Sequence, residues 1–275
     1  MKPYRTRALL ALAAHAALTI TLVVLLLCPS PHYALAQSNT AASNAKIAPQ
    51  VQRSLELNER GVLAVRAREF SQAEELFTKA LEVDSRNITA VFNLAGMYIT
   101  NKKEAAAVTL LTKYSAEFPK DAGLRARLGD AFFGSQQPNK AVEAYEAALR
   151  TDPKYPGVPA KLATLYAMQN KIDKAALLYE RAVKDNPKDV QSLKNLSSIY
   201  LGLGKPQQAV STAKKALQIS ASAEVYVTLG NAYQELRDDK NALNAFQRAK
   251  ELGYKDPDLA KVIEGLTEKT KKGMT

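Results

Sequence analysis

A small residue recurs twice in every 34 residues of this chain, and this period constrains the fold more than any other feature of the sequence. Only the last step of each series is one residue shorter. The first series is Gly61, Ala95, Gly129, Ala163, Ser197 and Gly230, and the second is Ala73, Ala107, Ala141, Ala175, Ala209 and Ala242. Self-similarity at a fixed period of this length is typical of a solenoid of stacked units.

The spacing within each period predicts two helices per repeat. A small residue on each helix lets the pair approach closely, and the larger side chains around them can then interlock. Those larger residues are Tyr98, Phe132, Tyr166, Tyr200 and Tyr233 on first helices, and Phe77, Leu111, Tyr145, Tyr179 and Phe246 on second helices. Pro119, Pro153 and Pro187 are expected to end second helices, because proline lacks the amide proton that a helix needs.

This pattern resembles the tetratricopeptide repeat family over residues 54–256. The resemblance implies an all-α fold, a right-handed α-solenoid of six helical hairpins, over residues 54–87, 88–121, 122–155, 156–189, 190–222 and 223–256. The chain departs from the family pattern in having no Trp, and in Arg60, Tyr114 and Ala213, which replace a leucine, a small residue and an aromatic residue. Pro156 and Pro159 predict a late start for the first helix of the fourth repeat.

The chain beyond the sixth repeat has the pattern of one more amphipathic helix. Leu259, Val262, Ile263 and Leu266 follow helical spacing within residues 257–270, and charged residues occupy the opposite face. We expect this helix to cap the open edge of the last repeat. Residues 271–275 are predicted to be a tail.

Residues 1–36 have the pattern of a signal peptide. Lys2, Arg5 and Arg7 precede an uncharged stretch over residues 8–28, and Ala34-Leu35-Ala36 predicts cleavage before Gln37. We therefore expect an exported protein, periplasmic or secreted. Residues 37–53, rich in Ala, Ser, Asn and Gln, are predicted to form a flexible linker.

The N-terminal stretch leaves two alternatives open. The apolar stretch of 21 residues is long enough to span a bilayer, so residues 8–28 could instead be an uncleaved anchor, with the rest of the chain on the far side. Cys28 could bear a lipid, as in bacterial lipoproteins, although Leu25-Leu26-Leu27 lacks the small residue that this pattern wants before the cysteine.

Counting residues excludes several kinds of chemistry from a chain cut before Gln37. Cys28, His15 and His32 are the only cysteine and histidines, and all precede the cut. Such a chain could form no disulfide, no Cys/His zinc site and no Ser-His-Asp triad. The segment 202–208 lacks the first glycine and the Ser/Thr of a phosphate loop. We expect no enzyme, cofactor or metal, with a carboxylate-based enzyme or carbohydrate-binding domain as the alternative.

The resemblance to tetratricopeptide repeats also implies where a partner would bind. Members of this family bind peptides or proteins along the face made by first helices, and the sixth position of each repeat points there. Here that position places Asn93, Arg127, Lys161 and Asn195 at 34-residue spacing, with Lys194 beside the last. Arg and Lys can meet a carboxylate, and an Asn amide can hold a peptide main chain.

The charge of the chain agrees with an anionic partner. The formal net charge is +11, and no block of Lys and Arg is interleaved with aromatic residues. We therefore predict a non-catalytic interaction scaffold whose partner is an acidic or carboxylate-ended protein segment rather than a nucleic acid. Membrane contact is expected only through residues 8–28 if they remain uncleaved.

Overall fold

The computed structural model describes residues 47–272, and this part of the chain contains 13 α-helices and no strand. It divides into two compact units, residues 47–158 and 159–272. The predicted signal peptide, the alternative membrane anchor and most of the predicted linker lie outside the described residues. Among residues 47–272, no helix combines the length and the apolar character needed to cross a bilayer.

The N-terminal unit consists of three helical hairpins. Its helices are α1 (Pro49–Arg66), α2 (Phe70–Val83), α3 (Ile88–Thr100), α4 (Glu104–Glu117), α5 (Ala122–Gly134) and α6 (Pro138–Thr151). Leu94 and Met97 of α3 pack into the core of the first hairpin, beside Phe77. Leu124 of α5 packs in the same way into the core of the second hairpin. The first helices α3 and α5 thus also close the repeats before them.

The C-terminal unit continues this pattern and ends with one additional helix. Its helices are α7 (Val158–Met168), α8 (Ile172–Asp185), α9 (Val190–Gly202), α10 (Pro206–Ile219), α11 (Ala223–Glu235), α12 (Asp239–Glu251) and α13 (Pro257–Lys272). Leu259 and Leu266 of α13 are buried against Phe246 and Ala249 of α12. Lys261 and Glu264, on the opposite side of α13, are exposed. The last hairpin therefore has its apolar edge covered by a helix with a polar outer face.

All twelve small residues of the repeat are buried. Three glycines show why the position must be small. A Cβ placed on Gly61 would lie 2.6 Å from the Phe77 ring, and one on Gly129 would lie 2.5 Å from the Tyr145 ring. At Gly230 the distance to the Phe246 ring would be 2.6 Å. Each hairpin of this kind passes an aromatic ring directly over the first helix, at a distance that only glycine permits.

Prolines define the helix ends much as expected. The helices α4, α6 and α8 each end two residues before Pro119, Pro153 and Pro187 respectively. The late start of α7, at Val158, is confirmed, because the other inner first helices begin at the first residue of their repeats. By contrast α1 begins at Pro49, inside the predicted linker 37–53, since proline is well tolerated in the first turn of a helix.

The departure at Arg60 has a structural explanation. Of the equivalent leucines, Leu94, Leu162, Leu196 and Leu229 are buried and Leu128 is partly buried, whereas Arg60 is exposed. The same contrast holds three residues later, where Leu63 is 61% exposed and the equivalent Met97 is 1% exposed. Because α1 is the first helix of the described residues, the face that α3 buries against the first hairpin carries a charged side chain here.

The other two departures are accommodated within the core. Tyr114 is buried and stacks on Phe118, with ring centroids 6.3 Å apart and an interplanar angle of 6°. Ala213 is fully buried in a cluster with Leu193, Ala216 and Val225. The register of the repeat therefore survives both substitutions.

Candidate functional site

The five predicted partner-binding residues all lie on first helices, in two separate groups. Asn93 on α3 and Arg127 on α5 belong to the N-terminal unit. Lys161 on α7, together with Lys194 and Asn195 on α9, belongs to the C-terminal unit. Each group has its own network of contacts.

In the N-terminal unit, the Asn93 side chain joins the first two repeats. Its Nδ2 donates a hydrogen bond of 2.9 Å to Oδ1 of Asn58, which is 6% exposed on α1. A bound peptide would therefore meet an amide that is already held in one orientation. Fixed orientation favours binding, because less side-chain entropy is then lost.

Arg127 lies between an aromatic ring and a carboxylate. Its guanidinium carbon is 5.7 Å from the centre of the Phe92 ring on the neighbouring helix α3. Its Nη1 is 3.9 Å from Oδ2 of Asp130, one turn further along α5. The side chain is 32% exposed. The guanidinium is thus partly covered, yet solvent still reaches it.

Asp130 was not among the site residues predicted from the sequence. Its carboxylate is held by a tyrosine from the second helix of the same hairpin. Tyr145 on α6 donates its hydroxyl proton to Oδ1 of Asp130 at 2.6 Å. Burial, reinforced by the Asp130 carboxylate, raises the pKa of Tyr145 well above its usual range, so the hydroxyl remains a donor. The ring reaches Asp130 by passing over Gly129, the residue that permits this approach.

A sequence signal for this contact exists in hindsight. Tyr145 and Tyr179 are the two tyrosines at their position of the second helices. In both cases the residue after the small residue of the first helix, Asp130 or Thr164, can accept a hydrogen bond from the tyrosine hydroxyl. A tyrosine at this position, with a polar residue 15 positions earlier, thus indicates that the polar side chain is held in place on the first helix.

In the C-terminal unit, Asn195 is the centre of a directed chain of hydrogen bonds. Its Oδ1 accepts from Nε2 of Gln191 at 2.9 Å, and its Nδ2 donates to the Tyr179 hydroxyl at 2.8 Å. The Thr164 hydroxyl donates to the Ala160 carbonyl, so the proton between Thr164 and Tyr179 belongs to the tyrosine. Burial raises the pKa of Tyr179 to about 12, which keeps that proton in place.

Of the two predicted lysines of this unit, Lys194 is held in an ion pair between repeats. Its Nζ is 3.5 Å from Oε2 of Glu224 on α11, and its side chain is 23% exposed. The Ser222 hydroxyl donates to the same carboxylate, and this hydrogen bond is the main reason that the pKa of Glu224 is lowered. Lys161 on α7 is exposed.

Residues 47–272 contain no group of three or more His, Cys, Asp or Glu side chains placed to hold a metal ion. The segment 202–208 spans the end of α9, the turn 203–205 and the first turn of α10, with Gly204 at φ +68°. Its resemblance to a phosphate loop therefore reflects turn chemistry.

Family comparisons agree with the repeat assigned from the sequence. One family model described as tetratricopeptide repeat matches residues 64–130 and 132–197. A second model with the same description matches residues 190–222 and 223–252. Together these matches cover more than half of the chain. No curated protein gives a significant sequence match.

Solved structures of this architecture resemble the chain at low sequence identity. PilF of Pseudomonas aeruginosa has a TM-score of 0.66 at 15% identity, over 81% of this chain and 100% of its own. YrrB, described as a tetratricopeptide repeat protein with an unusual peptide-binding site, has a TM-score of 0.62 at 19% identity, over 69% and 97%. PilW, a type IV pilus biogenesis factor, has a TM-score of 0.60 at 18% identity, over 76% and 98%.

Proposed function

Because the chain belongs to the tetratricopeptide repeat family, we propose that it is a non-catalytic scaffold that binds an acidic or carboxylate-ended protein segment on its first-helix faces. The observation that carries this proposal is the position of Arg127. Arg127 is on the first helix α5, partly exposed and packed against an aromatic ring, with an oriented asparagine on the neighbouring helix. Such an arrangement can offer charge and amide hydrogen bonds to the same segment.

The C-terminal unit supports the proposal through two lysines and a fixed amide. Lys161 is exposed on α7, and Lys194 is partly exposed on α9 beside Asn195. Both lysines carry charge on first helices rather than on second helices. The peptide-binding site named for YrrB gives a precedent within the same fold, although the two chains share only 19% identity.

The expected strength of these charge contacts follows from their exposure. Arg127 is 32% exposed and Lys161 is exposed, so both would meet a partner near water. Exposed ion pairs contribute about 0.2–1 kcal/mol each. We therefore expect charge reversal of both residues, Arg127→Glu with Lys161→Glu, to weaken binding of an anionic segment by about 1–2 kcal/mol.

Calorimetric titration of the full chain with three N-acetylated peptides tests this proposal. The peptides are hexaglutamate with a free C-terminal carboxylate, the same peptide as its amide, and hexalysine. We expect hexaglutamate to bind more tightly than hexalysine, and the double reversal to weaken it. Binding of hexalysine that equals or exceeds that of hexaglutamate would reject the anionic preference.

A matched control separates a local effect from a change in overall charge. Lys215 on α10 and Lys250 on α12 are exposed on second helices. Reversing both to Glu changes the net charge by the same amount as reversing Arg127 and Lys161. The control variant should retain most of the affinity for hexaglutamate, because screening confines charge effects to about 10 Å at 0.1 M salt. Equal losses in both variants would argue against binding at the first-helix faces.

We further propose that the scaffold works on the exported side of a membrane after removal of residues 1–36. The support is the sequence of the N-terminal stretch, with its basic start, apolar core and Ala34-Leu35-Ala36 ending. The intact mass of the protein recovered from the exported fraction of a bacterial host should correspond to a start at Gln37. A membrane-bound product that retains Lys2 would favour the anchor instead.

A further inference from the structure

We propose that Asp130 is a specificity-determining residue that competes internally with an anionic partner for Arg127. This inference rests on the proposed function, since it concerns the same cation. The Asp130 carboxylate lies 3.9 Å from the Arg127 guanidinium on the same helix face. A partner carboxylate that approaches Arg127 therefore meets a fixed negative charge as well as a positive one.

The position of Asp130 is set by groups that a partner does not touch. The Tyr145 hydroxyl, from a side chain only 3% exposed, donates to Oδ1 of Asp130 at 2.6 Å. This bond is made from within the hairpin, so it leaves Oδ2 directed to the guanidinium. Asp130 thus cannot move freely away when a partner binds.

The guanidinium also lies close to an aromatic ring of the neighbouring first helix. The Phe92 ring of α3 lies 5.7 Å from the guanidinium carbon. This ring is itself confined, since a Cβ on Gly123 would come within 2.7 Å of it. Arg127 therefore stays near Asp130 in the unbound protein, and a partner carboxylate must share or displace that contact.

The consequence is selectivity rather than high affinity for negative charge. A segment with only negative side chains is attracted by Arg127 and repelled by Asp130. A segment that places a hydrogen-bond donor or a cation beside its carboxylate satisfies both residues. Asp130 thus discriminates among acidic partners through the repulsive contact that specificity requires.

The substitution Asp130→Asn removes the charge and keeps the shape. The Asn oxygen can still accept the Tyr145 hydrogen bond, so the hairpin should remain intact. We expect hexaglutamate to bind about two- to fivefold more tightly to this variant than to the wild-type chain, which corresponds to one exposed ion pair. Hexalysine should bind more weakly to the variant, whereas a merely damaged fold would weaken both peptides.

Glu143→Gln is the matched control, because it removes an exposed negative charge from the second helix α6 of the same unit and leaves Asp130 and Tyr145 unchanged. Its affinity for hexaglutamate should stay within about twofold of wild type. An equal gain in this control, or an unchanged or weaker affinity in Asp130→Asn, would overturn the inference. Arg127→Gln separates the two proposals: if it weakens hexaglutamate while Asp130→Asn has no effect, only the inference fails. If Arg127→Gln has no effect, the proposed anion site of this unit fails.

Discussion

Gly129→Ala is expected to destabilise the protein relative to Gly96→Ala by about 1–3 kcal/mol, the usual cost of overpacking a core. Both glycines lie inside first helices, so both substitutions gain the same backbone preference of about 1 kcal/mol. They differ in what the new methyl group meets. At Gly129 it would lie 2.5 Å from the Tyr145 ring, whereas at Gly96 no atom lies within 4 Å.

The difference between the two variants therefore isolates the steric part of the effect. Urea denaturation followed by circular dichroism measures it, with Gly96→Ala expected to be at least as stable as the wild-type chain. Equal midpoints for the two variants would mean that the Tyr145 ring does not pass over α5 as described. The repeat register would then lose its physical explanation.

Removal of the apolar contacts of α13 is expected to have the largest effect on stability and solubility. Leu259 and Leu266 are 7% and 4% exposed and cover Phe246 and Ala249 of the last hairpin. Leu266→Ala should cost about 2–5 kcal/mol, as for buried leucines generally, with a value near the lower end because a terminal helix can adjust. Deletion of residues 257–275 should expose the last hairpin and promote aggregation.

Thermal unfolding and light scattering measure these effects together. Glu264→Ala, on the exposed side of the same helix, should change stability by no more than about 0.5 kcal/mol. If the deletion variant scatters no more light than the full chain and is equally stable, α13 does not cap the sixth repeat.

The helical hairpins could be predicted from the sequence because close packing has few solutions. A helix pair in contact requires small residues at fixed positions, and the period of those positions is visible without any structure. The positions of Gly61, Gly129 and Gly230 follow from the aromatic rings that pass over them. The start of α7 followed from proline chemistry alone. These features depend on local sterics, which a single sequence displays directly.

The side-chain contacts of the predicted site residues could not be predicted from the sequence in the same way. The Arg127 side chain could reach toward solvent or toward Asp130, and both outcomes fit the same spacing. The choice depends on the Phe92 ring from the neighbouring repeat and on Tyr145 from the second helix. Likewise the Asn195 amide is engaged by Gln191 and Tyr179. Contacts between side chains from different helices need the folded arrangement.

These contacts also change how the site would work. A face of unpaired cations would bind any anionic segment through charge alone. The structure instead pairs Arg127 with Asp130 and Lys194 with Glu224, and it holds Asn93 and Asn195 through hydrogen bonds. A site of this kind has oriented groups and little excess charge. It is suited to selecting among partners rather than to holding them tightly.

Charge reversal at Arg127 and Lys161 is the most direct test of the central claim, which is that the first-helix faces bind an anionic segment. The measurement is the affinity of the Arg127→Glu, Lys161→Glu variant for hexaglutamate and for hexalysine, with circular dichroism as the control for folding. We predict that the variant prefers hexalysine, the reverse of the wild-type chain, while the variant with Lys215 and Lys250 reversed keeps the wild-type preference. A folded variant that still binds hexaglutamate as tightly as the wild-type chain does would contradict the account.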